Sequence, residues 1–223
     1  MSRIHQLAVE GGTESIDELN KIARVSPIDP NLLFQGHTPL GMAAAVGNEI
    51  MADFFLTLGA KIDIPSANGF TPLLWATEEQ ELKMVKYLLK KGANPDLPRP
   101  DGKTALHIAV KKASLGIVEA LCSSGANINA LAPELGTPLH LACKQGIHSI
   151  VDCLLKYKAR TDIESEQAWL PLYRAAYHGH LEILIKLIEH QAAGNLQMAQ
   201  TLAENNEQDS IVDYLEKYRE LIS

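Results

Sequence analysis

Hydrophobic and polar positions recur along this chain every 33 residues. The segments GHTPLGMAAAVGN, GFTPLLWATEEQE and GKTALHIAVKKAS begin at Gly36, Gly69 and Gly102, and each has a Thr followed by a short apolar run. A fourth copy, LGTPLHLACKQGI from Leu135, and a weaker fifth, AWLPLYRAAYHGH from Ala168, keep the same register. No insertion or deletion interrupts the five copies, so the period indicates a repeat architecture.

Each copy predicts a pair of short helices. The Thr is typical of a helix N-cap, and the Pro that often follows is tolerated at the first helical position. A second apolar stripe with i, i+3, i+4 spacing follows, and Gly59, Gly92 and Gly125 stand where a left-handed residue would end that helix. The second copy has EEQE where a Gly is usual between the helices, so Gln80 is expected to take that turn.

A small residue is expected where two helices approach closely. The position five residues after the Thr, or after Leu170 in the fifth copy, is alanine in every copy: Ala43, Ala76, Ala109, Ala142 and Ala175. A helix pair of this size cannot bury its apolar face alone, so neighbouring pairs are expected to stack into a solenoid.

A 33-residue unit with Thr-Pro-Leu-His-x-Ala resembles the ankyrin repeat. TPLHLA at Thr137 matches that pattern letter for letter, and TALHIA at Thr104 differs only at the proline. The resemblance implies an all-α ankyrin-repeat solenoid of right-stacked helix–turn–helix pairs, with short β-hairpin fingers and a concave groove. We expect one continuous domain with an N-terminal capping repeat (1–34), five repeats (35–194) and C-terminal capping helices (195–223). The five repeats are approximately 35–67, 68–100, 101–133, 134–166 and 167–194.

Composition narrows the class of protein. The 223 residues are 46% hydrophobic and carry a net charge of −7, which disfavours nucleic-acid binding. The N-terminus lacks the apolar core of a secretory signal, and no apolar run approaches the ~18 residues of a membrane helix. Three cysteines, an odd number, favour a reducing compartment. We expect a cytoplasmic or otherwise intracellular monomer that binds no membrane; if the source is bacterial, secretion into a host cell is the alternative.

His140 and Cys143 resemble a reactive pair because their spacing places them on one helix face. Other copies hold residues as different as Leu74 and Tyr173 at the first position, and Ala44 at the second. Neither position therefore demands a reactive group, and no second Cys/His pair lies at metal-ligand spacing. We expect no enzyme activity, no cofactor and no metal. In the ankyrin pattern a histidine at this place ties the helix start to a finger. The predicted structural residues are Thr38, Thr71, Thr104, Thr137, His107 and His140.

The resemblance implies that a partner binds the concave face, formed by the finger tips and the exposed positions of each first helix. Along the chain these positions change from apolar through acidic and basic to aromatic, unlike a face that serves only solubility. Trp, Tyr and Arg are also frequent binding hot spots. The predicted partner-binding residues are Phe70, Trp75, Glu78, Glu79, Lys103, Lys111, Lys112, Lys144, Gln145, Trp169, Tyr173, Arg174, Tyr177 and His178.

The sequence therefore predicts a non-enzymatic protein–protein interaction module. Its last three repeats are expected to bind an unidentified protein or peptide that is acidic and partly aromatic. Three alternatives stay open at this point: core packing for Trp75, a finger tip folded on its neighbour for Trp169, and a merely solvated charged row. The alternative function is a bacterial effector or adaptor that acts on host proteins through the same surface. Asn129 lies where some ankyrin proteins are hydroxylated, so a modification target is a further alternative.

Overall fold

Helix pairs follow one another along the whole described chain, which is an all-α repeat solenoid. The computed structural model describes residues 3–222, with the backbone alone for Ile222. Residue contacts divide the chain into two compact units, Met1–Ala126 and Asn127–Ser223. The single continuous domain expected from the sequence stays a prediction.

The first unit contains eight helices in the residues that the structure describes. They are α1 Arg3–Glu10, α2 Thr13–Val25, α3 Pro39–Ala45, α4 Glu49–Thr57, α5 Pro72–Glu78, α6 Leu82–Lys90, α7 Ala105–Lys111 and α8 Leu115–Ser123. Within each repeat the inner helix packs on its outer partner, α3 on α4, α5 on α6 and α7 on α8. Successive inner helices also pack on one another, from α1 through α3 and α5 to α7.

The second unit repeats this arrangement up to its described end at residue 222. Its helices are α9 Pro138–Gln145, α10 His148–Lys156, α11 Pro171–Tyr177, α12 Leu181–Glu189, α13 Leu196–Glu204 and α14 Asp209–Ile222. The inner helix α11 packs on α9, α12 and α13, and α13 packs on α14. The last pair, α13 and α14, lies in the segment expected to cap the solenoid.

Side-chain caps set where the inner helices begin. The Thr38 hydroxyl accepts the Gly41 N–H at 3.0 Å, and the Thr71 hydroxyl accepts the Leu74 N–H at 3.3 Å. The fifth repeat has Leu170 at this position and has no side-chain cap. Such a cap is worth about 1 kcal/mol, so the start of α11 depends more than the others on packing.

The left-handed turns expected from the sequence are present. Gly59, Gly92 and Gly125 have φ of 92°, 91° and 84°, and each follows the last turn of an outer helix. Gln80, which replaces the usual glycine between α5 and α6, has φ of 61° and takes the turn at some cost in backbone strain.

The segments between repeats are turns rather than β-ladders in the described residues. They contain two isolated antiparallel bridges, Phe34 with His37 and Ala132 with Gly136. The short hairpin fingers implied by the resemblance are therefore not confirmed as strands. Backbone hydrogen bonds still order these turns, for example from the Ser66 N–H to the Phe70 carbonyl at 2.8 Å.

The core consists of two kinds of position with strict size requirements. The inner-helix alanines are all 0% exposed: Ala43, Ala76, Ala109, Ala142 and Ala175. One row of larger outer-helix residues is equally buried: Phe55, Leu88, Leu121, Leu154 and Leu187. Small residues on the inner helices allow close approach, while large residues on the outer helices fill the space behind them.

Replacing Ala43 by Leu is expected to lower the free energy of unfolding by about 1–3 kcal/mol, because the added atoms overpack the contacts of α3 with α1, α4 and α5. Ala45→Leu is the matched control, since Ala45 lies on the same helix but is only half-buried. Urea unfolding of both variants measures the difference. Equal stabilities would contradict the close approach at this position.

Candidate interaction surface

An aromatic cluster in the first unit surrounds Trp75. The Trp75 ring stacks on Phe70 with ring centres 4.5 Å apart, and it contacts the His37 ring at 5.4 Å. Its indole N–H donates to the Ser66 hydroxyl at 3.3 Å, and the Arg99 guanidinium lies 4.4 Å from the centre of the Phe70 ring. Trp75 is half-buried by these contacts.

Phe70 lies within this cluster rather than on an open face. Its residue surface is only 8% exposed, because Trp75 and Arg99 cover the ring. The buried ring contributes to packing of the turn and offers little area to a partner, so the assignment of Phe70 to the partner-binding surface stays a prediction with little exposed area to support it.

Charged residues of the first unit partly neutralise one another. Lys112 forms an ion pair with Glu78 at 2.6 Å, so the acidic and basic positions of neighbouring repeats meet. Lys103 pairs with Asp101 at 2.9 Å. Glu79 and Lys111 are exposed. Half-exposed pairs of this kind contribute roughly 0–1 kcal/mol to stability, but they reduce the net charge that an approaching partner meets.

The second unit brings four of the predicted residues together around Trp169. The Trp169 and Tyr177 rings meet edge to face with centres 5.1 Å apart, and the Arg174 guanidinium lies 4.7 Å from the Trp169 ring centre. The Tyr177 ring in turn contacts the His178 ring at 5.0 Å. All four side chains are half-buried. We call these residues, together with Lys144, the Trp169 surface.

The Arg174 side chain is fixed by one hydrogen bond, but another of its N–H donors has no partner among the described residues. One terminal nitrogen donates to the Gln167 side-chain oxygen at 2.7 Å. The Nε–H is buried and has no hydrogen-bond partner among the described residues. Burial lowers the pKa of Arg174, and an arginine remains protonated at neutral pH. The cation therefore has a fixed position beside the Trp169 ring.

His178 lies among cations. Burial is the main cause that lowers its pKa from 6.5, and the nearby charges of Lys144, His180 and Arg174 lower it further. The lowered pKa disfavours the charged form of the imidazole, so the positive charge of this surface comes from Lys144 and Arg174. Lys144 is exposed at the end of α9, next to the exposed Gln145.

Tyr173 has a different role from its aromatic neighbours. Its hydroxyl accepts the Asn195 N–H at 2.9 Å, immediately before α13 begins. The side chain is half-buried, so Tyr173 links α11 to the following helix and presents only part of its ring.

His140 positions the turn that carries Trp169. Its Nδ1 accepts the Thr137 N–H at 3.1 Å, and its Nε2–H donates to the Trp169 carbonyl at 2.8 Å. The side chain is 0% exposed, and burial lowers its pKa to about 4, with the Arg174 charge adding to the effect. Within the first unit, the Thr104 N–H approaches His107 Nδ1 at 3.4 Å in the same way.

Cys143 does not form a reactive pair with His140. Its residue surface is 0% exposed, and burial raises the pKa of the thiol far above its usual range. A buried neutral thiol is a poor nucleophile and a poor metal ligand. In the described residues, no group of three His, Cys, Asp or Glu side chains is arranged to hold a metal ion.

His180, which lies two residues after His178, also has a structural contact. His180 Nε2 lies 3.1 Å from the Lys144 carbonyl, at the end of α9. Its ring covers Gly146, where a Cβ atom would lie only 2.4 Å from the imidazole. The absence of a side chain at Gly146 therefore leaves space for the His180 ring. His180 in turn forms a hydrogen bond with the Lys144 carbonyl at the end of α9.

Sequence reasoning did not identify the contact of Gln167 with Arg174. Gln167 precedes Trp169 in a variable turn, and nothing in the repeat pattern distinguishes it from the Asn, Asp or Glu residues near the equivalent positions. The contact depends on how the turn folds over α11, which residue spacing alone does not specify.

Comparison with known proteins agrees with the repeat period. A family model described as ankyrin repeats (3 copies) matches residues 4–99 and 131–198, and one described as ankyrin repeats (many copies) matches residues 88–142. A search of curated proteins finds no match to the chain. Over residues 3–222, the structure contains no helix with the length and apolarity to cross a membrane.

The free energy of unfolding is expected to fall as the pH drops from about 6.5 to about 4, by up to about 3 kcal/mol. In this interval His140 stays neutral in the fold because its pKa is lowered to about 4, whereas in the unfolded chain it takes up a proton near its ordinary pKa of 6.5. The unfolded state therefore binds more protons and is favoured by acid. Urea unfolding between these pH values measures the slope.

His140→Gln removes the titrating group, so the slope over this pH interval should become shallower. His190→Gln is the control, because it removes an exposed histidine from the end of α12. If the slope were the same in wild type and His140→Gln, the pH dependence would have to come from other groups.

Proposed function

The chain belongs to the ankyrin-repeat family, whose members are generally non-enzymatic protein–protein interaction modules, and we propose that it binds an acidic protein or peptide partner through the Trp169 surface. The observation that carries this proposal is the arrangement of Trp169, Arg174 and Tyr177. Their rings and guanidinium group are half-buried and mutually ordered, so they would lose little conformational entropy on binding.

Shape and residue type support an aromatic contribution to binding. Trp, Tyr and Arg are the residue types most enriched among binding hot spots, and here they occur as one cluster. Because the rings meet edge to face, the cluster leaves ring surface against which a partner's apolar or aromatic side chain can pack.

Charge supports an acidic partner. Lys144 and Arg174 supply the positive charge of the Trp169 surface, and the buried Arg174 Nε–H has no hydrogen-bond partner among the described residues. A partner's carboxylate would pair with Lys144 and with the accessible part of the Arg174 guanidinium through charge-assisted hydrogen bonds. In the first unit, by contrast, Lys112 is already paired with Glu78. We therefore place the principal contact in the second unit, with Lys111 and Lys112 as secondary candidates.

The remaining alternatives stay predictions. Asn129, considered as a modification target, uses its side-chain oxygen to accept the Arg160 N–H at 2.8 Å. Two repeats earlier, the Asp63 side chain accepts the Asn94 N–H in the same way. Because both repeats make this contact, a structural role is sufficient to explain an asparagine at position 129. A bacterial effector role would use the same binding surface.

Trp169→Ala is expected to weaken binding of selected peptides at least about tenfold, or about 1.4 kcal/mol, because it removes the central ring of the surface. The peptides would come from a random phage-displayed library. Phage that bind the Trp169→Ala variant are removed first, and phage that bind the wild-type protein are then retained. We expect the retained sequences to combine Asp or Glu with an aromatic residue. Isothermal titration calorimetry gives the affinities.

Tyr157→Ala is the matched control, since Tyr157 is a half-buried aromatic residue at the end of the outer helix α10. Thermal unfolding of both variants separates lost binding from lost folding. Lys111→Glu combined with Lys112→Glu tests the first unit. Peptides without acidic residues, or equal affinity for wild type and Trp169→Ala, would contradict the proposed surface.

A further inference from the structure

The outer face of α4 carries an apolar stripe that the fold does not require. Ile50, Phe54 and Leu58 follow one another with i, i+4, i+8 spacing along α4 and its C-cap. Ile50 is 58% exposed and Leu58 38% exposed, while Phe54 is half-buried. Burial of such side chains is normally favourable, so a row of them on the surface indicates a contact with another molecule.

Comparison with the other repeats shows that this stripe is specific to the first full repeat. The positions equivalent to Ile50 hold small or polar residues in every other copy: Lys83, Gly116, Ser149 and Glu182. The positions equivalent to Leu58 hold polar or amphipathic ones: Lys91, Ser124, Tyr157 and His190. Since the same helix pair forms with polar residues there, packing of the repeat does not explain Ile50 and Leu58.

The stripe borders an open groove of about 490 Å³ in the first unit. Its apolar and aromatic lining comes from Ile16 of α2, from Ile50 and Phe54 of α4, and from Tyr87 of α6. The apolar positions on α4 extend over about 12 Å, since a helix rises 1.5 Å per residue. That length suits two to three turns of a partner helix with apolar residues at i, i+3, i+4 and i+7.

The charged side chains that line the groove are both carboxylates, Glu49 and Asp53. Asp53 accepts hydrogen bonds from the Tyr87 hydroxyl and the Lys91 ammonium group, each at 2.7 Å, and these partners lower its pKa. Among the described residues, the ion pairs of the first unit do not include Glu49. The exposed Asp17 follows Ile16 on α2. A partner with lysine or arginine beside its apolar residues would complement this rim.

From this combination we infer that the groove between α2 and α4, which we call the outer groove, binds an amphipathic helix with a basic flank. Ile50 and Phe54 supply the apolar contact, and Glu49 supplies charge complementarity. The site uses the outer helices of the first unit, so it shares no residue with the Trp169 surface.

The probe is a fluorescein-labelled peptide of about 14 residues, long enough to form a helix, with leucines at i, i+3, i+4 and i+7 and lysines elsewhere. A sister peptide has glutamate in place of lysine. Fluorescence anisotropy with the full chain should show saturable binding of the lysine peptide, at least about tenfold tighter than that of the glutamate peptide. Ile50→Asn should weaken the lysine peptide at least about tenfold without changing net charge.

Leu131→Asn is the matched control, because Leu131 has nearly the same exposure, 56%, and lies in the second unit. It should leave the affinity unchanged and so exclude general adsorption of the peptide to any exposed apolar residue. Amide chemical shifts in an NMR titration should change in α2 and α4, which keeps the test valid if Ile50→Asn lowers stability.

Three results would overturn the inference. The first is equal binding of the two peptides, and the second is equal loss of affinity in Ile50→Asn and Leu131→Asn. The third is a concentration-dependent dimer in analytical ultracentrifugation that Ile50→Asn abolishes, since the groove would then be filled by a second copy of the chain.

Discussion

Close approach of successive inner helices is the constraint on which this structure depends. An inner helix of seven or eight residues is too short to be stable alone, and it persists because neighbouring helices pack against it. The alanine at its centre makes that approach possible in every repeat, while larger residues on the outer helices fill the space behind. Each repeat is therefore stabilised mainly by its neighbours, as in other solenoids.

The residues that stabilise the repeat also position the candidate binding surface. His140 is a buried structural histidine, yet its Nε2–H holds the backbone carbonyl of Trp169. Trp169 then supports Arg174, which the Gln167 side chain also contacts. A change at His140 would thus affect both stability and the placement of Trp169, although His140 itself is fully buried.

The two surfaces differ in the chemistry they offer. The Trp169 surface combines aromatic rings with the cations Lys144 and Arg174, which suits acidic ligands. The outer groove combines aliphatic and aromatic residues with the carboxylates Glu49 and Asp53, which suits basic amphipathic ones. A repeat scaffold can present such different faces because stacking restricts only the size of the buried side chains. The exposed positions of each repeat can therefore vary.

The repeat pattern was sufficient to predict the helix pairs, the Thr caps, the turn at Gln80 and the buried alanines. These features depend on local backbone preferences and on side-chain size, which residue type and spacing express directly. The pattern also predicted a structural rather than reactive His140, because other repeats hold unrelated residues at its position.

What the tertiary structure decided is which exposed positions contact one another. Phe70 looked like a finger-tip residue but lies under Trp75 and Arg99, because the turn folds back onto its own repeat. Lys112 looked like part of a basic row but pairs with Glu78 of the neighbouring repeat. Both outcomes include a contact between side chains about one repeat apart, Arg99 with Phe70 and Lys112 with Glu78, and a one-dimensional period carries no information about those distances.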